Sequence, residues 1–281
     1  MRADTIPSAP VPIPAEVADA MLQRRMKKHH VAIMLLHWFN ASTWIAELAT
    51  GGALIVSRYF RVAPAWFLDL LEGVFGSRAN LLRFHVALGL LWIFVFAVYG
   101  IFGWRTYLRG EVLQREMALD KDDRRWLVVR ALGILGRSRE ALPPQGSYNA
   151  GQKMFGWLVY TMVPIVMLSG LVMVFHLFGT AAVGWAVVAH FAAVGGVVSG
   201  LMIHLYMGAV FPEEKSAFFS MITGSVDELY AYRHHFKWWR EVKLAEMAWM
   251  DAQDRANPPM PSPAAPAAPP PAAKPEQGGA S

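Results

Sequence analysis

With 55% hydrophobic residues among 281 and a mean hydropathy of +0.30, this chain is too apolar for an ordinary soluble domain. Its formal charge of +5 comes without a clustered basic and aromatic surface, which argues against nucleic-acid binding. Zero cysteines exclude disulfides, Cys-ligated zinc, Cys-held iron–sulfur clusters and covalent C-x-x-C-H haem attachment within the chain, so a redox cofactor would have to be held by His or Met.

Residues 1–30 form an arm with several prolines, Asp4, Glu16 and Asp19, closed by the basic cluster Arg24, Arg25, Lys27 and Lys28. The apolar run that follows, 31–56, contains one charged residue, Glu47, and is too long for a signal-peptide core, so it reads as a retained membrane helix. The 57–83 connection places Trp66, Phe67, Leu70, Leu71, Val74 and Phe75 as an interfacial amphipathic segment would. A second uncharged run covers 84–104. From Met154 to Phe211 no Asp, Glu, Lys or Arg occurs for 58 residues. As one helix this run would be roughly 87 Å long, nearly three hydrocarbon thicknesses. It must fold back once, and the turn is expected around Gly179–Thr180 to Gly184, giving helices over 154–178 and 185–211. Residues 212–256 make a C-terminal segment, and 257–281, dominated by Pro and Ala, read as a disordered tail. The predicted fold is an all-α integral membrane four-helix bundle. Ten Lys or Arg in 105–153 and the basic end of the arm, against four in 57–83 and none in 179–184, place both termini in the cytoplasm.

Of the nine histidines, four sit inside the predicted helices at two depths. His37 lies near the inner side and His85 near the outer side, while His190 and His204 occupy the outer and inner parts of the fourth helix. Fourteen residues leave about 40° of residual rotation, so His190 and His204 share one face about 21 Å apart along the axis. Two stacked sites result: His85 with His190, and His37 with His204. Two neutral imidazoles on opposite sides of a bundle core suit haem iron, whereas zinc prefers four ligands at one depth. Gly89, Ala192, Ala193, Gly195, Gly196 and Gly200 supply small residues near the ligands. His176, at the outer end of the third helix, could replace or assist an outer ligand. Glu47 reads either as a proton-relay group or as a hydrogen-bonded, protonated structural carboxyl. His29, His30, His234 and His235 lie in Lys-, Arg- and Trp-rich flanks that suggest interfacial anchors.

"HW" at 37–38, "RFHVALG" at 83–89, "YNAGQKM" at 148–154, "IHLYMG" at 203–208 and "HHFKWWREV" at 234–242 resemble the cytochrome-b (gamma) subunit of membrane-bound respiratory formate dehydrogenases, over about residues 28–246. The resemblance implies two non-covalent haems b in the bacterial inner membrane, ligated by His85 and His190 on the outer side and by His37 and His204 on the inner. It implies a quinone site (menaquinone or ubiquinone) near Asn149, Gly151 and His204. It also implies an iron–sulfur (beta) subunit and a molybdenum or tungsten catalytic (alpha) subunit as partners, in a complex open to higher oligomerisation. The chain would be the electron-transfer and quinone-reducing subunit of an oxidoreductase, with substrate oxidation on another chain. Other expectations are a cytochrome b serving a hydrogenase or a thiosulfate or polysulfide reductase, and a haem-free transporter or anchor. The long arm and the Pro/Ala tail exceed the family's compact form.

Overall fold

The computed structural model describes residues 6–56, 60–103 and 116–256. The expected Pro/Ala tail, 257–281, lies outside them. Four long helices dominate: α2 (Val31–Leu54), α4 (Arg78–Gly103), α6 (Ala150–Phe175) and α7 (Gly179–Leu205). Shorter helices are α1 (Ala15–Gln23), α3 (Ala65–Phe75), α5 (Lys121–Ile134), α8 (Lys215–Thr223), α9 (Glu228–His234) and α10 (Phe236–Ala256).

Within the described residues, three stretches are long and apolar enough to cross a membrane: Arg78–Phe102, Ala150–Phe175 and Gly179–Val210. The sequence reading counted four. The 24-residue α2 is long enough, but His37, Asn40, Ser42, Thr43, Glu47 and Thr50 lower its apolarity. A helix interrupted this often needs somewhere other than hydrocarbon to direct its polar groups. One of them, Asn40, accepts a hydrogen bond from Trp92 Nε1 of α4 at 2.9 Å.

The turn between the last two long helices comes earlier than 179–184. Residues His176 to Phe178 make it, and both His176 (φ 51°) and Phe178 (φ 64°) take left-handed backbone conformations before Gly179 (φ 84°) opens α7. Thr180 to Gly184, read as loop, are helical, since nothing in that stretch opposes continuation. The third helix likewise starts at Ala150 rather than 154, because Asn149 and Gln152 form a reciprocal capping box.

The long helices pack as two pairs, α2 against α4 and α6 against α7, with sparse backbone approach between the pairs. Beyond one end of them sits a cap built from both ends of the chain. Strand β1 (Arg25–Lys27) pairs antiparallel with β2 (Ser225–Asp227), Met26 opposite Val226. Around this ribbon Met21, Met26, Val226, Leu229, Tyr230, Tyr232, Phe236 and Trp239 form a buried core. The arm and the C-terminal segment, separate stretches in the sequence, thus share one core. Helix α5, which opens on a capping box of Asp120 and Asp123, joins the C-terminal segment where Asp120 Oδ2 accepts a 2.7 Å hydrogen bond from Lys237 Nζ of α10, and Asp123 Oδ2 accepts a 2.7 Å hydrogen bond from Lys153 Nζ at the start of α6. Asp123 is 1% and Lys153 6% exposed, so this ion pair locks α5 to α6 away from water.

Candidate functional site

Between the two helix pairs the four histidines meet as pairs. At the cap end, His37 of α2 faces His204 of α7 with ring centres 6.5 Å apart. The His204 ring is stacked on Phe155 of α6 at 4.8 Å, which fixes its plane. Nδ1 of His37 is buried without a hydrogen-bond partner among the described residues. Directly after His204 the helix widens into a π-turn, Tyr206–Val210, a local distortion often found at functional sites.

At the other end His85 of α4 and His190 of α7 lie within electrostatic reach of each other. Each ring is held by Nδ1. Glu47 Oε2 stands 2.5 Å from His85 Nδ1, and Thr50 Oγ1 stands 2.9 Å from the same nitrogen. The Thr50 hydroxyl proton is directed at Ala46 O, 2.8 Å away, so its oxygen is an acceptor toward the ring. On α7, His190 Nδ1 lies 3.0 Å from Val166 O and 3.1 Å from Ser169 Oγ. The Val166 carbonyl only accepts, so Nδ1 carries the proton in His190 and Nε2 is left as the free lone pair; Glu47, when ionised, sets the same tautomer in His85. Gly51 makes room for the His85 ring, since a Cβ there would meet His85 Cε1 at 3.0 Å; Gly170 lies beside His190, where a Cβ would make an ordinary contact at 3.6 Å.

Sequence reading did not find Thr50, Ser169 or the Val166 carbonyl. Glu47, expected as relay or structural carboxyl, is the hydrogen-bond partner of His85. His176 caps α6 with its side chain exposed, and no contact joins it to His85 or His190 among the described residues. The expected quinone residues lie in the first turn of α6. Asn149 Oδ1 accepts from Gln152 N at 2.9 Å, and Gly151 backs onto Trp126. Gly151 is four residues, or about 6 Å of helix, before the Phe155 that stacks on His204.

Of the flanking histidines expected as interfacial anchors, His29 and His235 are instead buried in the cap, while His30 is exposed and caps α2 by accepting from Ala32 N. His235 is fully buried, with Nδ1 donating to Gly146 O at 2.7 Å and Nε2 2.9 Å from Lys28 Nζ. Burial first, then the neighbouring Lys28 charge, pushes its basicity far down. Burial likewise pulls His29 to about 4, with Lys28 and His37 adding to it, and pulls Lys28 to about 8. Lys28 lies 5.5 Å from the Trp238 ring and 6.0 Å from that of Tyr230. His234 stacks on Tyr230, whose hydroxyl donates to Glu214 at 2.6 Å.

These residues suit haem. An iron bonding one nitrogen of each of two rings at about 2 Å sets ring centres on the order of 6 Å apart, close to the His37–His204 separation. Among the described residues no three His, Asp or Glu gather as a discrete metal cluster would require. Pairs of imidazoles across a helix seam are the donor set of a b-type cytochrome.

Residues 28–224 match the family model of the prokaryotic cytochrome b561, and the chain belongs to that family. Together with its apolar helices this makes it an integral membrane cytochrome b. It is similar to the formate dehydrogenase cytochrome b556 subunit of Haemophilus influenzae, 23% identical over 79% of this chain and 86% of that protein. The nitrate-inducible formate dehydrogenase cytochrome b556(Fdn) subunit of Escherichia coli K12 is 30% identical, over 45% of this chain and 58% of its own length. The cytochrome b556(fdo) subunit of the same organism is 22% identical over 74% and 88%.

Proposed function

We propose that the chain is the dihaem membrane subunit of a formate dehydrogenase complex. Four histidines hold two haems b, His85 with His190 and His37 with His204. When bound, the haems supply one-electron centres linking an outer iron–sulfur subunit to a quinone at the cytoplasmic side. The observation that carries this reading is the facing of His37 and His204 at 6.5 Å across the seam between the helix pairs.

The chain's own residues do the rest. Helix α2, about 36 Å long, is the fourth span, with His37, Glu47 and Thr50 turned to the histidine sites and Asn40 to Trp92 of α4. Val166, Ser169, Glu47 and Thr50 fix the outer rings by Nδ1, and Phe155 fixes His204 by stacking. The capped first turn of α6, with Asn149 and Gly151, forms the wall of the quinone site nearest His204. The cap, with its basic β1 approach, is cytoplasmic, as the distribution of Lys and Arg expects. An iron–sulfur subunit and a molybdenum or tungsten catalytic subunit complete the complex, because this chain has no cysteines for clusters.

The test is copurification from native membranes followed by addition of formate under anaerobic conditions. The reading expects both partner subunits in the preparation, and b-haem absorbance of this chain that is reduced by formate and reoxidised by a quinone analogue. Haem reduced by hydrogen instead, or haem reduced by a quinol and reoxidised by polysulfide, would assign the chain to a different partner enzyme.

A further inference from the structure

The four histidines do not have equivalent Nδ1 surroundings. His37 Nδ1 is buried with no partner among the described residues, and His190 Nδ1 meets a backbone carbonyl and a hydroxyl. Among the described residues, only His85 of the four has a carboxylate at hydrogen-bond distance. The other oxygen of that carboxylate, Glu47 Oε1, is buried without a hydrogen-bond partner among the described residues. Gly51 clears the ring, since a Cβ there would stand 3.0 Å from His85 Cε1, and Gly89 lies beside the carboxylate, where a Cβ would make an ordinary contact 3.6 Å from Glu47 Oε1.

A carboxylate drawing on the Nδ1 proton makes an imidazole a stronger electron donor through Nε2, and outer-shell hydrogen bonds of this kind tune metal centres. Donation and the nearby negative charge both favour the oxidised, more positive iron, and a bundle interior screens the charge weakly. A neutral carbonyl acceptor does this less, and an unpartnered nitrogen not at all. Resting on the reading that the four histidines hold haem, we infer that Glu47 is a positioning residue that makes the His85–His190 centre the lower-potential of the two. The order of potentials is thereby built into the chain, and electron transfer from the His85 end to the His37–His204 end runs downhill.

Redox titration of the two haems by visible spectroscopy in the purified complex tests this, with the His85→Ala protein identifying which signal is the outer one. Glu47→Gln keeps the shape and an acceptor oxygen but removes the charge. It is expected to shift the outer haem's oxidised-to-reduced ratio at fixed potential by ten- to a hundredfold toward reduced, at about 59 mV per tenfold for one electron. The inner haem should not move, and the ferric low-spin electron paramagnetic resonance signal of the outer haem alone should change. Thr50→Ala leaves the carboxylate as sole side-chain acceptor, so the outer midpoint should fall; this variant keeps the test open should Glu47→Gln lose its outer haem. Unchanged midpoints in both variants, a rise in Thr50→Ala, or a native outer haem of higher potential than the inner would overturn the inference and leave the haem reading standing. A native complex without haem in this chain would overturn both.

Discussion

Tyr230, Tyr232, Phe236 and Trp239 in the cap are at most 8% exposed, whereas Leu168, Trp185, Met202 and Ile203 on α6 and α7 are 63% to 75% exposed. The two regions are ordered oppositely: the cap buries these aromatics in its core, while the long helices present large apolar side chains outward and hold His37, His85, His190 and His204 between the helix pairs. One chain thus meets two solvents. In the cap a buried aromatic is the source of stability; in the bundle lipid is as apolar as Leu, and helix association rests on packing and inter-helix hydrogen bonds.

Three substitutions sharpen the contrast. Trp239→Ala removes a core aromatic and the donor to Glu228 Oε1, 3.0 Å away, and is expected to cost the cap about 3–5 kcal/mol. Denaturant midpoints read from limited proteolysis of the cap should fall, while the haem spectrum of the bundle holds; a loss of both together would show that the two regions are one cooperative unit. Next is Lys28. Because burial lowers it to about 8 from 10.5, the folded cap binds fewer protons than the unfolded chain between those pH values. Cap stability should therefore rise with pH across that window, by about 3 kcal/mol in all. The same proteolysis at pH 8 and 10.5 reads it, and Lys28→Met should lack that share of the rise. Smallest is Asn149→Ala, which deletes the cap of α6 and should cost about 1 kcal/mol. If Asn149 also touches quinone, the Michaelis constant for a quinone analogue will rise in this variant while haem content stays constant.

Uncharged run lengths located the long helices but missed their ends by up to six residues, since roughly twenty apolar residues demand a helix in a bilayer without fixing where it is capped. Depth and rotation paired His37 with His204, because a straight helix turns spacing into position. The turn at His176–Phe178 was hidden: neither residue signals a left-handed backbone as Gly or Asn would. Thr50 and Ser169 were hidden as well, since each hydroxyl also bonds the carbonyl four residues back, the ordinary habit of Ser and Thr in any helix. His235 looked like a flank residue because its burial depends on β1 meeting β2 across 200 residues of sequence. Spacing within an element was readable; contacts between distant elements were not.

The central claim is that paired histidines hold two haems, and haem quantified per chain in the purified protein tests it most directly. The account predicts two b-type haems in the native chain and about one each in His85→Ala and His204→Ala, the spectra of the two variants summing to the native one. A native chain without haem, or variants that both retain two, would contradict it.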